Sequence, residues 1–170
     1  MKNITLMLVF IGMISLQSCT VNDQPANVVD NDTISEVFEF TTSFTSTNGF
    51  SVLYTLPHVI YSSDMVLVYR LSAIDNGADV WKLQPETYYF NDGTLDFGYD
   101  FDFTKYDVGV FMKGNNLATV PSGNRINQVF RVVVLPGYLS NKSAVNTNDY
   151  NAVVKAFNID DSKVQVLNKK

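Results

Sequence analysis

Thr94-Leu95-Asp96-Phe97-Gly98-Tyr99-Asp100-Phe101-Asp102-Phe103-Thr104 is the stretch that decides the fold class. Read with a period of two, Leu95, Phe97, Tyr99, Phe101 and Phe103 fall on one face, and Asp96, Gly98, Asp100 and Asp102 on the other. That is the pattern of a β-strand with one buried face. A one-residue slip would bury three carboxylates and expose five large apolar groups, so burial alone holds the register. Asn91-Asp92-Gly93 stands just before it, a hairpin signal because these residues tolerate positive φ.

The same pattern extends in both directions. In residues 36–44, Phe38, Phe40, Thr42 and Phe44 alternate with polar neighbours; after Thr47-Asn48-Gly49, Phe50, Val52, Tyr54 and Leu56 do the same. The spacing predicts a hairpin. Residues 65–73 and 126–135 are continuous apolar runs, expected as strands buried on both faces. Asp75-Asn76-Gly77 supplies a turn, residues 80–83 and 86–90 are short strands parted by Pro85, and residues 107–113 make another, closed by Gly114-Asn115-Asn116. Near the end the period changes: Tyr150, Val153, Val154 and Phe157 fall at i, i+3, i+4 and i+7, a helix of about ten residues. Asn148 is its expected cap, and Asp149 suits the positive end of its dipole. Residues 163–167 read as a last short strand. The fold class is therefore all-β, a mainly antiparallel β-sandwich of immunoglobulin or jelly-roll type, with one short C-terminal amphipathic helix.

The first 19 residues are of a different kind. Met1-Lys2 precedes an apolar run from Ile4 to Leu16, a charged n-region and an h-region of about 13 residues that together read as a signal peptide. The run is too short for a permanent span, which takes roughly 20 apolar residues. Leu16-Gln17-Ser18-Cys19 resembles the lipobox of bacterial lipoproteins, which implies removal of residues 1–18 and lipidation of Cys19. Residues 19–32 are then the lipidated Cys and a polar tether, and residues 33–170 a single β-sandwich domain. The tether would let the domain float on the order of 20 Å from the bilayer.

Composition narrows the function classes. Removing residues 1–18 takes away one Lys and no acid, leaving 11 basic against 17 acidic residues, a net charge of −6. An acidic body argues against nucleic acid as a partner, and against an anionic membrane surface as the main one. Cys19 is the only cysteine, so intramolecular disulfides and Cys-rich metal sites are excluded. His58 is the only histidine and no G-x-S-x-G elbow is present, which leaves nucleophilic catalysis without its usual parts.

Three constellations remain. Asp100 and Asp102 stand about 6.8 Å apart along one side of a strand, with Asp96 further along and Asp92 in the adjoining turn. They read as a solvated face that protects an edge strand; the alternative is a calcium site. Paired carboxylates also admit a small hydrolase acting on glycosides. Trp81 with Tyr88 and Tyr89 reads as core filling or as a platform on which a sugar ring stacks. Arg70 and Arg131 lie inside apolar strands and need partners there, expected among Glu39, Glu86 and the Asp residues. Asp32-Thr33-Ile34 resembles short O-glycosylation sites of Bacteroidetes-type envelope proteins, which would place the sugar on Thr33.

The stretches V-L-V-Y-R-L-S-A-I-D-N-G-A-D-V-W-K-L, N-Q-V-F-R-V-V-V-L-P and D-Y-N-A-V-V-K-A-F resemble a group of Bacteroidetes-type lipoproteins, over roughly residues 33–160. Some members carry a dihydrolipoamide dehydrogenase label. This chain has no flavin or dinucleotide fingerprint and no redox cysteine pair, so its residues do not support that label. The resemblance implies no functional residue. The expectation is a lipoprotein anchored in the outer membrane through Cys19, acting without catalysis as a binding or structural module toward an envelope protein or glycan. The alternatives are a carbohydrate-binding accessory module and a small hydrolase using the Asp cluster. No cofactor is expected apart from the calcium alternative.

Overall fold

The computed structural model describes residues 34–139 and 145–170; Cys19, the tether and Thr33 lie outside them. Among the described residues, ten strands form two five-stranded sheets. The strands are β1 (Glu36–Thr42), β2 (Ser51–Thr55), β3 (Met65–Asp75), β4 (Ala78–Leu83), β5 (Glu86–Tyr89), β6 (Leu95–Phe103), β7 (Asp107–Gly114), β8 (Gln128–Leu135), β9 (Gln165–Val166) and β10 (Asn168–Lys169). The first sheet has the order β4-β3-β8-β1-β9 and the second β10-β2-β7-β6-β5. Every pair is antiparallel except β1 with β9. The all-β sandwich with one short helix, α1 (Tyr150–Phe157), is what the alternation requires.

Each sheet turns its alternate residues inward. Phe38, Phe40, Val66, Val68, Phe130, Val132 and Val134 from the first meet Val52, Tyr54, Phe97, Tyr99, Val108 and Val110 from the second in one core. The opposite face of the first sheet is buried as well. Val37, Leu67, Tyr69, Val133 and Leu135 form a second cluster with Tyr150 and Val153 of α1. This double burial explains why residues 65–73 and 126–135 read as continuous apolar runs.

Several local expectations need correction. The segments around Thr47-Asn48-Gly49 are not a hairpin. β1 pairs with β8 and β9, whereas β2 pairs with β7 and β10. The link arches from one sheet to the other, so the two strands meet through side chains. Phe40 stacks on Tyr54 at 3.9 Å, and the Tyr54 hydroxyl donates to the Thr41 carbonyl at 3.1 Å. Alternation is common to both arrangements and does not distinguish them. The cap of α1 is Asp149, whose carboxylate accepts from the Ala152 amide at 3.1 Å, and not Asn148; the helix has eight residues. Residues 163–167 do not form one strand. β9 joins the first sheet and β10 the second, with the buried Leu167 between them. Phe103 is exposed because β5 runs beside β6 only over Leu95 to Tyr99, leaving its far end an uncovered edge.

The turn predictions hold where local geometry suffices. Asn76 and Gly77 take φ of 49° and 82° in the β3–β4 hairpin, and Gly93 takes 83° before β6. Gly98 serves a different need, since a Cβ there would sit 2.7 Å from the Glu86 carbonyl oxygen of β5.

Because Phe130 is fully buried among Phe40, Phe44 and Tyr99, Phe130→Ala is expected to cost about 3–5 kcal/mol in urea unfolding. Val166→Ala, at an exposed edge, is expected to stay within about 0.5 kcal/mol.

Candidate functional site

The acidic stretch lies on β6, which is not the edge strand expected but runs between β7 and β5 from Leu95 to Tyr99, and it is not gathered into a cation site among the described residues. Asp92 folds back on its own turn and accepts from the Thr94 amide and hydroxyl at 2.9 and 2.6 Å. The Thr94 hydroxyl, with that amide, holds its carboxyl below the usual range. Asp100 is paired with Lys113 at 2.5 Å, Asp102 is exposed, and Asp96 lies a further two positions before Gly98 on the same strand. Among the described residues no three His, Cys, Asp or Glu side chains stand close enough to share a metal ion.

The aromatic trio is likewise divided. Trp81 is on β4, on the outer face of the first sheet, against the cluster under α1. Tyr88 is on β5 of the second sheet and turns into the other core, stacked on Phe97 at 4.5 Å. Tyr89 alternates outward and is exposed. The three do not make one platform, because neighbouring residues of a strand point to opposite faces and the chain changes sheets between β4 and β5. His58 is an exposed loop residue whose Nε2 lies 2.9 Å from Glu36.

The two arginines occupy opposite faces of the first sheet. Arg70 points into the sandwich. Its Nε donates to Glu86 at 3.0 Å, its Nη1 to Gln128 at 3.1 Å and its Nη2 to the Tyr88 hydroxyl at 2.8 Å. The guanidinium lies 4.5 Å above the Tyr99 ring, and the Tyr88 hydroxyl also donates to Glu86. Burial works to raise the Glu86 pKa, yet the Tyr88 hydroxyl and Arg70 outweigh it and hold the carboxyl below its usual value. Burial, helped by Glu86, pushes Tyr88 up to about 12. This network ties β3 of one sheet to β5 of the other, a use of paired charge that is structural.

Arg131 points outward beneath α1. It donates to Glu39 at 2.9 Å, to the Tyr150 hydroxyl at 2.9 Å and to Asp161 at 3.4 Å. Its guanidinium lies 4.4 Å above the Trp81 ring. Trp81 and Tyr150 also line an open cleft of about 340 Å³ between β4 and the start of α1, together with Asp79, Asn148, Asp149 and Asn151. An indole edged by Asp and Asn side chains offers an apolar face and several hydrogen-bonding groups. This cleft is the candidate binding site. Trp81 is legible in the sequence as a candidate; the Asn148-Asp149 side of the cleft shows there only as a helix start. Nothing in the local pattern brings residues 148–151 to β4, although Asp79 two positions before Trp81 on an alternating strand was a signal that could have been used.

Comparison with known protein families, curated proteins and solved structures finds no match to this chain.

Removing one partner of the inner pair leaves a buried charge uncompensated, so Glu86→Gln is expected to cost on the order of 3 kcal/mol at pH 7. A lowered carboxyl pKa contributes stability above pH 4.5, lost as the pH falls through the lowered value. The raised Tyr88 contributes stability below pH 10, lost as the pH rises toward about 12. Melting temperature against pH should thus be flat between these limits, with a shallower acid limb in Glu86→Gln.

Proposed function

We propose that this chain is a lipoprotein anchored in the outer membrane through Cys19, whose sandwich domain serves the cell envelope as a non-catalytic binding or structural module. The observation that carries this reading is Leu16-Gln17-Ser18-Cys19 at the end of an apolar run of signal-peptide length. The resemblance to Bacteroidetes-type lipoproteins supports it. So does the use of charge inside the domain, where Arg70 with Glu86 joins β3 to β5 and Arg131 joins β8 to β1 through Glu39 and to α1 through Tyr150. Thr20 after the Cys, where inner-membrane retention elsewhere often has Asp, favours the outer membrane.

Acylation adds about 0.8 kcal/mol of membrane affinity per buried CH₂, so Cys19→Ala should lower the membrane-bound fraction at least about tenfold. Wild-type protein should incorporate labelled palmitate, and the variant none. An unlabelled wild-type protein that stays in the membrane fraction would overturn the anchor. Protease added to intact cells then distinguishes an adhesive role outside from an assembly role in the periplasm.

The cleft at Trp81 favours a second reading, a carbohydrate-binding module, because its ring and its Asp and Asn groups suit a neutral sugar. On this reading Asp79→Ala and Trp81→Ala each weaken polysaccharide binding in affinity electrophoresis by at least about tenfold. Asp79 is exposed, so the first variant keeps the fold; unchanged mobility in both removes the reading.

A further inference from the structure

The outermost strands of the two sheets are not equally guarded. β9 and β10 have two residues each and β5 four, whereas β4 runs for six, Ala78–Leu83. A short edge strand offers little to a further strand, and a long one offers a row of backbone groups. The ladder with β3 fixes which groups those are. The Gln84 amide donates to the Val68 carbonyl at 2.8 Å, and Leu83, Lys82 and Trp81 follow opposite Tyr69, Arg70 and Leu71. Hydrogen-bonded pairs alternate along an antiparallel ladder, so Lys82 bonds to β3 while Leu83 and Trp81 turn their N–H and C=O away from it. The register shift lies on β3, between Leu71 and Ala73, so the alternation continues along β4. Val80 faces β3, its carbonyl accepting from Ser72 Oγ at 2.9 Å, and Asp79 faces outward. No described residue bonds to the main chain of Asp79, Trp81 or Leu83 on that side.

The same three residues carry their side chains on the α1 side of the sheet. Trp81 and Leu83 pack against the cluster under α1, and Asp79 lines the cleft together with Trp81. A strand laid along this edge therefore holds its alternate side chains over that cleft. The cleft is acidic. Asp79 and Asp149 line it, both exposed, with Asn148, Asn151, Tyr150 and Trp81, and with no Lys, Arg or His. Arg131 lies against the Trp81 ring, but Glu39 and Asp161 neutralise it. Lys82, the one cation of β4, alternates to the other face, where its Nζ lies 3.2 Å from Glu86.

We propose that β4 takes up an extended peptide as a further strand of the first sheet, with a Lys or Arg side chain of that peptide in the cleft beside Trp81. Main-chain bonds at Asp79, Trp81 and Leu83 give the peptide its hold, and its alternate side chains decide which peptide is held. Asp79 and Asp149 attract the cation, and an indole suits it as a neighbour. The same carboxylates repel an acidic segment, so an edge that any strand could otherwise join becomes selective. The inference rests on the reading of the domain as a binding module and names a protein segment as its partner. It does not depend on the anchor at Cys19.

The test screens the full chain in detergent micelles against an array of random heptapeptides. Bound peptides should carry Lys or Arg among β-branched residues. Asp79→Pro should weaken the best of them at least about tenfold, because it removes an outward N–H and no ladder bond. Asp79→Asn keeps that N–H and should lower the preference for Lys over norleucine only by roughly threefold. With the best peptide bound, exchange of the Trp81 and Leu83 amides should slow at least about tenfold, a change that a sugar stacked on Trp81 would not produce. Peptides that leave those amides in fast exchange, or that Asp79→Pro holds equally well, overturn strand addition. So do amides already protected in the free protein in proportion to its concentration, which would put a second copy on the edge. An array without binders overturns it too. If a polysaccharide is then bound through Trp81, the binding-module reading stands without the peptide; if none is, that reading falls as well.

Discussion

The structure depends on the contact between two sheets that share no backbone ladder. Phe40 of β1 lies flat on Tyr54 of β2 at 3.9 Å, with Phe130 at 5.5 Å on the other side of Phe40. Tyr99 and Phe44 continue the aromatic layer. The chain changes sheets between β1 and β2, between β2 and β3, between β4 and β5, between β7 and β8, and between β9 and β10. Each crossing is tolerable only because the inner faces are apolar enough to stay together without hydrogen bonds between them. Burial is the force that makes one domain of two sheets.

The first sheet carries a second constraint. It is buried on both faces, so a charged residue on β3 or β8 has no direct route to water. Arg70 and Arg131 sit on adjacent strands, next to each other in register but pointing oppositely, with Tyr69 opposite Arg131 and Arg70 opposite Phe130. Each is met by a carboxylate, a tyrosine hydroxyl and an aromatic face. The same arrangement is built twice, once to clamp the sheets together and once to seat α1. The outer one lies against Trp81 and Tyr150, which line a cleft open to solvent, and binding chemistry is therefore sought there.

Much of this was legible in the chain. The inward faces of β1, β2 and most of β6, the doubly buried β3 and β8, the turns at Asn76-Gly77 and Asp92-Gly93, and the need of both arginines for carboxylate partners all follow from residue type and spacing. The candidate site was legible only in part. Trp81 stood out as an amphipathic ring, but Tyr88 and Tyr89 were grouped with it by nearness in sequence. The strands that carry them belong to different sheets.

Period two, turn chemistry and the helical repeat at Tyr150, Val153, Val154 and Phe157 act within a few residues, so the sequence by itself determined the all-β class, the inward faces and the late helix. Which strand lies beside which was decided only by tertiary structure. Alternation states that a face must be buried and says nothing of the edge, so β1 and β2 are equally consistent with a hairpin and with an arch. The arch is taken because the edges of β1 are filled by β8 and β9, pairings that join residues 86 to 127 positions apart.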